Sequence, residues 1–351
     1  ASDTAYISSG TATLSSDATV AGLTLSGTGT LTGSANLTVT KRVDWIGGTM
    51  SGTGFTTIWI GATMDISGST YIKYLRARTI NNAGTTTWSG ATDINSGEGA
   101  VFYNQGIFNV QNNQTFNLYY SGALTFKNEG IFQKSSTSTT TIEAAFNNTD
   151  TVDVLAGTLR LTGGGTSSGT FNVTSPAVLN FAGGVDTLNT GAKFAGTGFS
   201  RIVSGGTVNI NGSVTAQKFE LVSGGTLSGI GNLTVTDTLN WTGGTMSGTG
   251  LTTISSGATM NISGSTYNKL LRGRTINNPG TTTWSGTTDI LGGEGAIFNN
   301  QVGGIFNVEN NQLRVAMLRL QQPFLAIPSQ FTINAGSLQH PRHHLSQEII
   351  I

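Results

Sequence analysis

Two acidic residues are candidates for glycan cleavage, and the chain carries them twice. Asp93 and Glu98 recur as Asp289 and Glu294. A pair of carboxylates can supply the general acid and the base or nucleophile of glycoside cleavage. Two equivalent active sites in one chain are uncommon, so a polysaccharide lyase or hydrolase of the β-helix type is an alternative and not the favoured interpretation.

Other acidic positions are exchanged between the two copies. Asp44 and Asp65 become Asn240 and Asn261. An asparagine has neither the charge nor the basicity of an aspartate, so this exchange is expected of surface positions and not of catalytic ones. The sequence therefore predicts a protein that is not an enzyme.

Nucleophilic and metal chemistry have few candidates. The chain has no cysteine, and its three histidines, His340, His343 and His344, stand near the C-terminus with no acidic residue at ligand spacing. Adjacent side chains on an extended chain point to opposite faces, which makes His343 and His344 a poor metal pair. The sequence has no glycine-rich phosphate loop and no calcium-binding aspartate ladder. We predict no catalytic residue, no cofactor and no metal site.

Three cations lie close together in each copy: Lys73, Arg76 and Arg78, and again Lys269, Arg272 and Arg274. Such a cluster can bind an acidic glycan. A solvated coil face with salt-bridge partners is the simpler interpretation, because charged side chains are rarely buried.

Four duplicated tryptophans are candidates for stacking on sugars: Trp45, Trp88, Trp241 and Trp284. Trp241 has the same parity as Leu239 in an alternating run, so we expect these rings to lie inside the fold. Trp59 has no duplicate and is a candidate surface residue.

Outward threonines in flat rows can order water and bind ice. The candidates are Thr38, Thr40 and Thr85 to Thr87, and their copies Thr234, Thr236 and Thr281 to Thr283. Threonine also suits any exposed strand, which is the simpler interpretation. Ice binding is therefore a second alternative.

Repeats at two lengths predict the elements that position these residues. Residues 36–105 and 232–301 agree at roughly 50 of 70 positions without a gap. A shorter repeat appears as Gly-Thr followed by an apolar residue, which starts at Gly10, Gly29 and Gly48 and so recurs at a constant interval. Short alternating runs with glycine turns at this interval are typical of a β-solenoid.

A variant coil occupies the middle third of the chain. The pattern Phe-x-Asn-x-Gly-Ile-Phe starts at Phe102 and again at Phe126, and Phe146-x-Asn148 follows at a similar interval. In residues 232–241, NLTVTDTLNW, alternation with a period of two predicts strands. We predict an all-β fold, a right-handed parallel β-helix with coils of about 19 to 24 residues; the hand is the general preference of parallel crossovers.

Composition changes near the C-terminus predict a boundary. Residues 1–312 form the solenoid in this interpretation, and 313–351, with little glycine and three of the five prolines, form a C-terminal cap or docking tail. Within the tail, residues 331–336 still predict a strand and a turn. Val302 and Gly303, which have no counterpart in the first copy, predict a corner bulge or short loop.

Charge and hydropathy limit the partners. Charged residues are 10% of the chain and the net charge is zero, so the basic face that nucleic acid requires is absent from the sequence. No apolar run approaches the roughly 20 residues of a membrane-spanning helix. The sequence starts at Ala1 and not at Met, which fits a secreted protein whose signal has been removed.

Several runs resemble a known class of repeat. GTLTGSANLTVT, GGTMSGTG, RTINNAGTTTWSG and GIFNVQNNQ are similar to repeats of bacterial exported proteins, the β-helical autotransporter passengers and filamentous-haemagglutinin-like adhesins, over about residues 10–312. The resemblance implies an extracellular or cell-surface location, an elongated shape and structural or adhesive work. The expected partners are further copies of the chain, stacked head to tail in a fibre, or a surface glycan or receptor.

Overall fold

The computed structural model describes residues 3–310 and two short strands at 332–334 and 337–339. The described residues form 42 strands and no helix. Parallel strands stack as a β-solenoid of about 15 turns, which confirms the predicted fold class. The hand of the coil stays a prediction. The chain divides into two compact units, 1–180 and 181–351.

The first unit contains short strands, mostly of four residues. They are β1 (Thr4–Ile7), β2 (Thr11–Leu14), β3 (Ala18–Leu25), β4 (Thr30–Gly33), β5 (Leu37–Trp45), β6 (Gly48–Met50), β7 (Phe55–Ile58), β8 (Thr63–Ile66), β9 (Lys73–Arg76), β10 (Thr79–Asn82), β11 (Thr85–Trp88), β12 (Ile94–Gly97), β13 (Ala100–Asn104), β14 (Ile107–Val110), β15 (Thr115–Leu118), β16 (Leu124–Asn128), β17 (Ile131–Lys134), β18 (Thr139–Ile142), β19 (Ala145–Asn148), β20 (Thr151–Val154), β21 (Thr158–Leu161), β22 (Gly165–Ser167), β23 (Thr170–Val173) and β24 (Val178–Phe181).

The second unit has the same character. Its strands are β25 (Val185–Leu188), β26 (Lys193–Ala195), β27 (Phe199–Ile202), β28 (Thr207–Ile210), β29 (Ser213–Leu221), β30 (Thr226–Ser228), β31 (Asn232–Trp241), β32 (Gly244–Met246), β33 (Leu251–Ile254), β34 (Thr259–Ile262), β35 (Lys269–Arg272), β36 (Thr275–Asn278), β37 (Thr281–Trp284), β38 (Ile290–Gly293), β39 (Ile297–Asn300), β40 (Ile305–Val308), β41 (Thr332–Asn334) and β42 (Ser337–Gln339).

Three stacks of parallel strands build the first unit. Stack A contains β7, β10, β13, β16 and β19; stack B contains β8, β11, β14, β17, β20 and β23; stack C contains β2, β4, β6, β9, β12, β15, β18 and β21. Thr85 of β11 pairs with Thr63 on the preceding turn and with Ile107 on the following turn. One circuit of the three stacks is therefore one turn of the solenoid.

The second unit also has three stacks. One contains β25, β28, β30, β32, β35 and β38, the next contains β33, β36, β39 and β41, and the third contains β34, β37, β40 and β42.

Turn length varies more than the sequence predicts. In the first unit, Thr4 pairs with Gly22, which makes a turn slightly shorter than the predicted range. Thr115 pairs with Thr141, which makes a turn slightly longer than that range. Corners that accept small insertions and deletions explain both departures, because the paired strands keep their length.

Long strands are two short strands joined at a corner. β31 pairs with β33 through residues 232–235 and with β34 through residues 238–241. Leu233, Val235, Leu239 and Trp241 all point inward, with exposures of 0%. The alternation survives the corner because three residues lie between Val235 and Leu239, so the inward parity is kept.

Aromatic side chains stack from turn to turn inside the first unit. The ring of Phe126 lies 5.3 Å from that of Phe102 and 5.3 Å from that of Phe146, nearly parallel in both cases. Phe108 and Phe132 stack in the same way at 5.5 Å. Offset stacking of this kind adds to the free energy of burial. The recurring Phe-x-Asn pattern is therefore a core ladder.

The two sequence features near the C-terminus have the predicted form where the structure describes them. Val302, fully exposed, lies in the turn between β39 and β40, as expected for an insertion at a corner. β41 and β42 pair in parallel with β39 and β40, so residues 332–334 continue the solenoid pairing as a strand. The rest of 313–351, with His340, His343 and His344, lies outside the described residues.

Candidate functional site

The duplicated cations do not share one surface. Lys73 and Arg78 are fully buried, and so are their copies Lys269 and Arg274. Arg76 and its copy Arg272 point outward. The prediction of a solvated, salt-bridged face is therefore wrong for Lys73 and Arg78, and a three-cation glycan site is wrong for the same reason.

Arg78 ties three successive turns together. Its guanidinium donates five hydrogen bonds to groups of the two preceding turns. The acceptors are Thr56 Oγ1 at 2.7 Å and the carbonyl oxygens of Phe55 at 2.9 Å, Ser51 at 3.1 Å, Gly33 at 3.2 Å and Ala35 at 3.2 Å. Burial lowers the pKa of the Arg78 guanidinium. Because every donor of the planar fork has an acceptor, the charge can be held inside without an acidic partner.

Buried lysines make similar ties. Lys73 Nζ donates to Thr92 Oγ1 at 2.8 Å and to the carbonyl of Gly68 at 3.4 Å. Lys134 Nζ donates to the carbonyl oxygens of Ser136 and Ala156. Burial lowers the pKa of both amines to about 8. These polar groups hold loops in place and do not face solvent.

The carboxylates considered for catalysis have structural partners. Asp93 Oδ1 accepts the backbone N–H of Thr115 at 2.8 Å, and Glu98 accepts two hydrogen bonds from Arg76 at 2.6 and 3.1 Å. The Arg76 guanidinium holds the pKa of the Glu98 carboxyl below its usual range. Glu98 and its copy Glu294 both have φ of 58°, a left-handed conformation that is unusual for glutamate. The same strain in both copies indicates a shared corner geometry.

The exchanged acidic positions change together with their partner. In the first copy, Arg42 contacts Asp44 at 2.7 Å and Asp65 at 2.5 Å. In the second copy, an amide pair replaces this cluster, and Asn261 Nδ2 donates to Asn240 Oδ1 at 3.0 Å. Both arrangements join neighbouring strands on the outer surface, so these residues serve strand pairing.

The tryptophans lie as the alternation predicts. Trp45, Trp88, Trp241 and Trp284 are buried, and their indole N–H groups have no hydrogen-bond partner within the described residues. Trp59 is 53% exposed at the corner between β7 and β8. The four duplicated rings therefore belong to the core, and Trp59 is a surface residue.

The threonine rows are only partly regular. Thr38 pairs with Thr19 and Thr57 on the adjacent turns, and all three side chains face outward. Thr86 and its copy Thr282 are fully buried, so the prediction that Thr85 to Thr87 all face outward is wrong. Thr86 shares the inward parity of Trp88. Ice binding stays a prediction.

An asparagine ladder was missed from the sequence. Asn82, Asn104, Asn128 and Asn148 are buried in stack A, and each of the first three donates its Nδ2 to the Oδ1 of the next at 2.7 to 2.8 Å. The same amide groups also donate to backbone carbonyls of the following turn. The repeated Phe-x-Asn pattern could have predicted this ladder, because its asparagine has the same inward parity as its phenylalanine.

Replacement of Asn104 with Ala is expected to cost about 2–3 kcal/mol of unfolding free energy. It removes the hydrogen bonds that Asn104 makes with Asn82, Asn128 and Ile131, and it leaves the buried Oδ1 of Asn128 without its donor. Urea unfolding of the full chain, with hydrogen exchange of peptides from 80–150, measures the loss. Asn109, half-exposed on β14, is the matched control, and its replacement with Ala should change stability by less than about 0.5 kcal/mol. Equal effects of the two substitutions would contradict a ladder role.

One surface of the first unit collects aromatic and charged side chains. We call it the tyrosine patch, and it consists of Tyr74, Arg76, Glu98, Tyr119 and Tyr120 on the outside of stack C. The Arg76 guanidinium lies 4.4 Å from the centroid of the Tyr120 ring, and the rings of Tyr119 and Tyr74 lie 5.1 and 6.3 Å from it. Aromatic faces beside a paired cation and anion provide both apolar contact and hydrogen bonds.

Metal binding and membrane insertion were also considered for the described residues. Residues 3–310 contain no group of three His, Cys, Asp or Glu side chains placed to hold a metal ion. The described part of the chain also has no helix of the length and apolarity needed to cross a membrane. Comparison with protein-family models, with curated proteins and with solved structures finds no match to this chain.

Proposed function

We propose that this chain is a non-enzymatic structural and adhesive protein of the bacterial cell surface, either a surface rod or a filament subunit that stacks end to end. The location and the protein class rest on the resemblance of its repeats to exported β-helical adhesins. The composition supports an extracellular setting, because the chain has no cysteine and little charge.

One observation carries the structural role: the polar groups inside the solenoid serve to join its turns. Arg78 bonds groups of two preceding turns, and the asparagine ladder runs through Asn82, Asn104, Asn128 and Asn148. Buried polar groups that are hydrogen-bonded to one another from turn to turn rigidify a fold. Such an interior resists separation of the turns, which is what a load-carrying protein requires.

Edges of the strand stacks support end-to-end assembly. Within the described residues, β1 pairs only with β3 and β2 only with β4. The inward side chains of Ile7 and Leu14 are only half-buried, whereas Leu25 and Leu31 on the next turn are fully buried. β41 and β42 likewise pair on one side only within the described residues. A second copy stacked on the first turn would pair its strands and cover its apolar side chains.

Electron microscopy of the purified full chain over a range of concentrations tests this proposal. We expect filaments whose length increases with concentration, because a head-to-tail contact that does not close propagates. Substitution of Ile7 and Leu14 with Lys should abolish them while leaving the β-rich circular dichroism spectrum unchanged. Monodisperse particles at every concentration would contradict the filament form.

A further inference from the structure

The tyrosine patch is a preorganised surface. The backbone N–H groups of Tyr119 and Tyr120 both donate to the carbonyl of Ser96, at 2.9 and 3.0 Å. Gly97 lies beneath Tyr120, and a Cβ at Gly97 would stand 2.8 Å from the Cβ of Tyr120. Glycine is therefore required for the tyrosine to lie against the turn below. The backbone at Tyr119 and Tyr120 is therefore held in place before a ligand binds, which reduces the entropy cost of binding.

Arg76 is fixed from two sides. Glu98 accepts its Nε and Nη2 hydrogen bonds, and the guanidinium carbon lies over one face of the Tyr120 ring. The side chains of Arg76 and Glu98 remain 41% and 36% exposed, so their unused donors and acceptors face solvent. Because the two charges compensate each other, the patch offers hydrogen bonds without a net field that would draw phosphate or an acidic polymer.

A shallow groove adjoins the patch along the chain. It has a volume of about 480 Å³ and starts at Leu118, the residue before Tyr119. Thr125, Glu143 and Thr162 line it together with small apolar residues. Glu143 and Thr162 belong to the two turns that follow Tyr119, so the groove lies beside the tyrosine patch and not within it.

Comparison with the second copy of the repeat shows which residues of the tyrosine patch are repeated and which are not. The second copy keeps the ion pair as Arg272 and Glu294, with one contact at 3.3 Å, but it has Leu270 in place of Tyr74. The ion pair therefore belongs to the repeated architecture. The aromatic side chain at the position of Tyr74 occurs in the first copy alone, and strand pairing does not explain it.

We propose that the tyrosine patch binds a neutral glycan. A pyranose ring has an apolar C–H face that packs on aromatic rings, and hydroxyl groups at its edge that both donate and accept hydrogen bonds. Tyr74, Tyr119 and Tyr120 supply the rings. Glu98 accepts from sugar hydroxyls and Arg76 donates to them. This inference gives the adhesive part of the proposed function a ligand class, and it rests on that proposal.

A printed array of neutral oligosaccharides and polysaccharides, including glucans, galactans, mannans and xylans, tests the inference with the purified full chain. We expect binding to at least one neutral glycan, with little dependence on salt. Tyr119→Ala combined with Tyr120→Ala should weaken it about tenfold or more, because both ring contacts are lost. Tyr267→Ala, at an exposed tyrosine of the second copy, should bind as the unmodified chain does.

Several results would overturn the glycan site. The first is that the folded chain binds no neutral glycan. The second is that the double tyrosine substitution leaves binding unchanged, or that Tyr267→Ala weakens binding equally. The third is that the chain binds acidic glycans alone and that salt abolishes this binding. Circular dichroism and the thermal midpoint confirm that each variant is folded. If filaments form but no glycan binds, only this inference fails; if the chain binds a glycan as a monodisperse particle, the filament proposal fails and the site stands.

Discussion

Replacing Asp186 with Asn is expected to stabilise the second unit by up to about 4 kcal/mol at pH 7. Asp186 lies on β25 with its side chain inside the solenoid, 4% exposed, and its Oδ2 has no hydrogen-bond partner among the described residues. Burial raises the pKa of its carboxyl to about 8. At pH 7 the folded protein therefore holds a neutral acid at this position, and an amide of the same shape replaces one neutral group with another.

The gain comes from the unfolded chain. There the carboxyl has a pKa near 3.9 and ionises, which favours unfolding by about 1.4 kcal/mol for each pH unit above that value. The folded state binds the extra proton between pH 4 and pH 8, so stability falls as pH rises through this window and levels off above it. The Asn variant has no carboxyl at this position and should lose this part of the pH dependence.

Hydrogen exchange of peptides from 181–230 distinguishes the unmodified chain from Asp186→Asn. The exchange is measured from pH 5 to pH 9 and corrected for the intrinsic exchange rate. Local readout is needed because solenoids do not unfold in one step. Asp237→Asn is the matched control, since Asp237 is exposed at a corner of the same unit, and its effect should be within about 0.5 kcal/mol. An equal pH slope for the unmodified chain and Asp186→Asn would show that Asp186 is ionised in the fold.

Asp186 also shows which signal in the sequence was reliable. It has the parity of Leu188, just as Lys73 has that of Leu75 and Arg78 that of Ile80. Alternation places all three side chains inside, and the structure agrees. For Lys73 and Arg78 the prediction followed residue polarity instead, because an isolated buried charge is costly.

The groups that stabilise these buried charges could not be predicted from the sequence. Arg78 is stabilised by backbone carbonyls as far away along the chain as that of Gly33, and any residue type can supply a carbonyl. Tyr120 meets Arg76 only because β15 stacks two turns beyond β9 through β12. The approximate turn length and the core tryptophans depend on local period and parity, and these were predicted from the sequence.

Replacing Arg78 with Met is expected to destabilise the first unit by about 3–5 kcal/mol. Methionine fills much of the same volume, but it cannot donate to Thr56 Oγ1 or to the four carbonyls that the guanidinium now binds. Those carbonyls stay buried after the substitution, and each loses a charge-assisted hydrogen bond. Arg78→Lys should recover only part of the loss, because one ammonium cannot reach acceptors on two turns with the geometry of the planar fork.

Two further variants make the experiment decisive. Arg76→Met, on the outer surface of the same turn, should leave stability nearly unchanged, because its pair with Glu98 is exposed. Arg274→Met should reproduce the effect in the second unit, since Arg274 bonds Thr252 Oγ1 at 2.8 Å and the corresponding four carbonyls at 3.1 to 3.4 Å. Hydrogen exchange of residues 30–60 reports on the hydrogen bonds of Arg78, and that of residues 228–256 reports on those of Arg274. Slow exchange retained in Arg78→Met would show that packing alone holds these turns, and the structural role proposed for the buried polar groups would then be wrong.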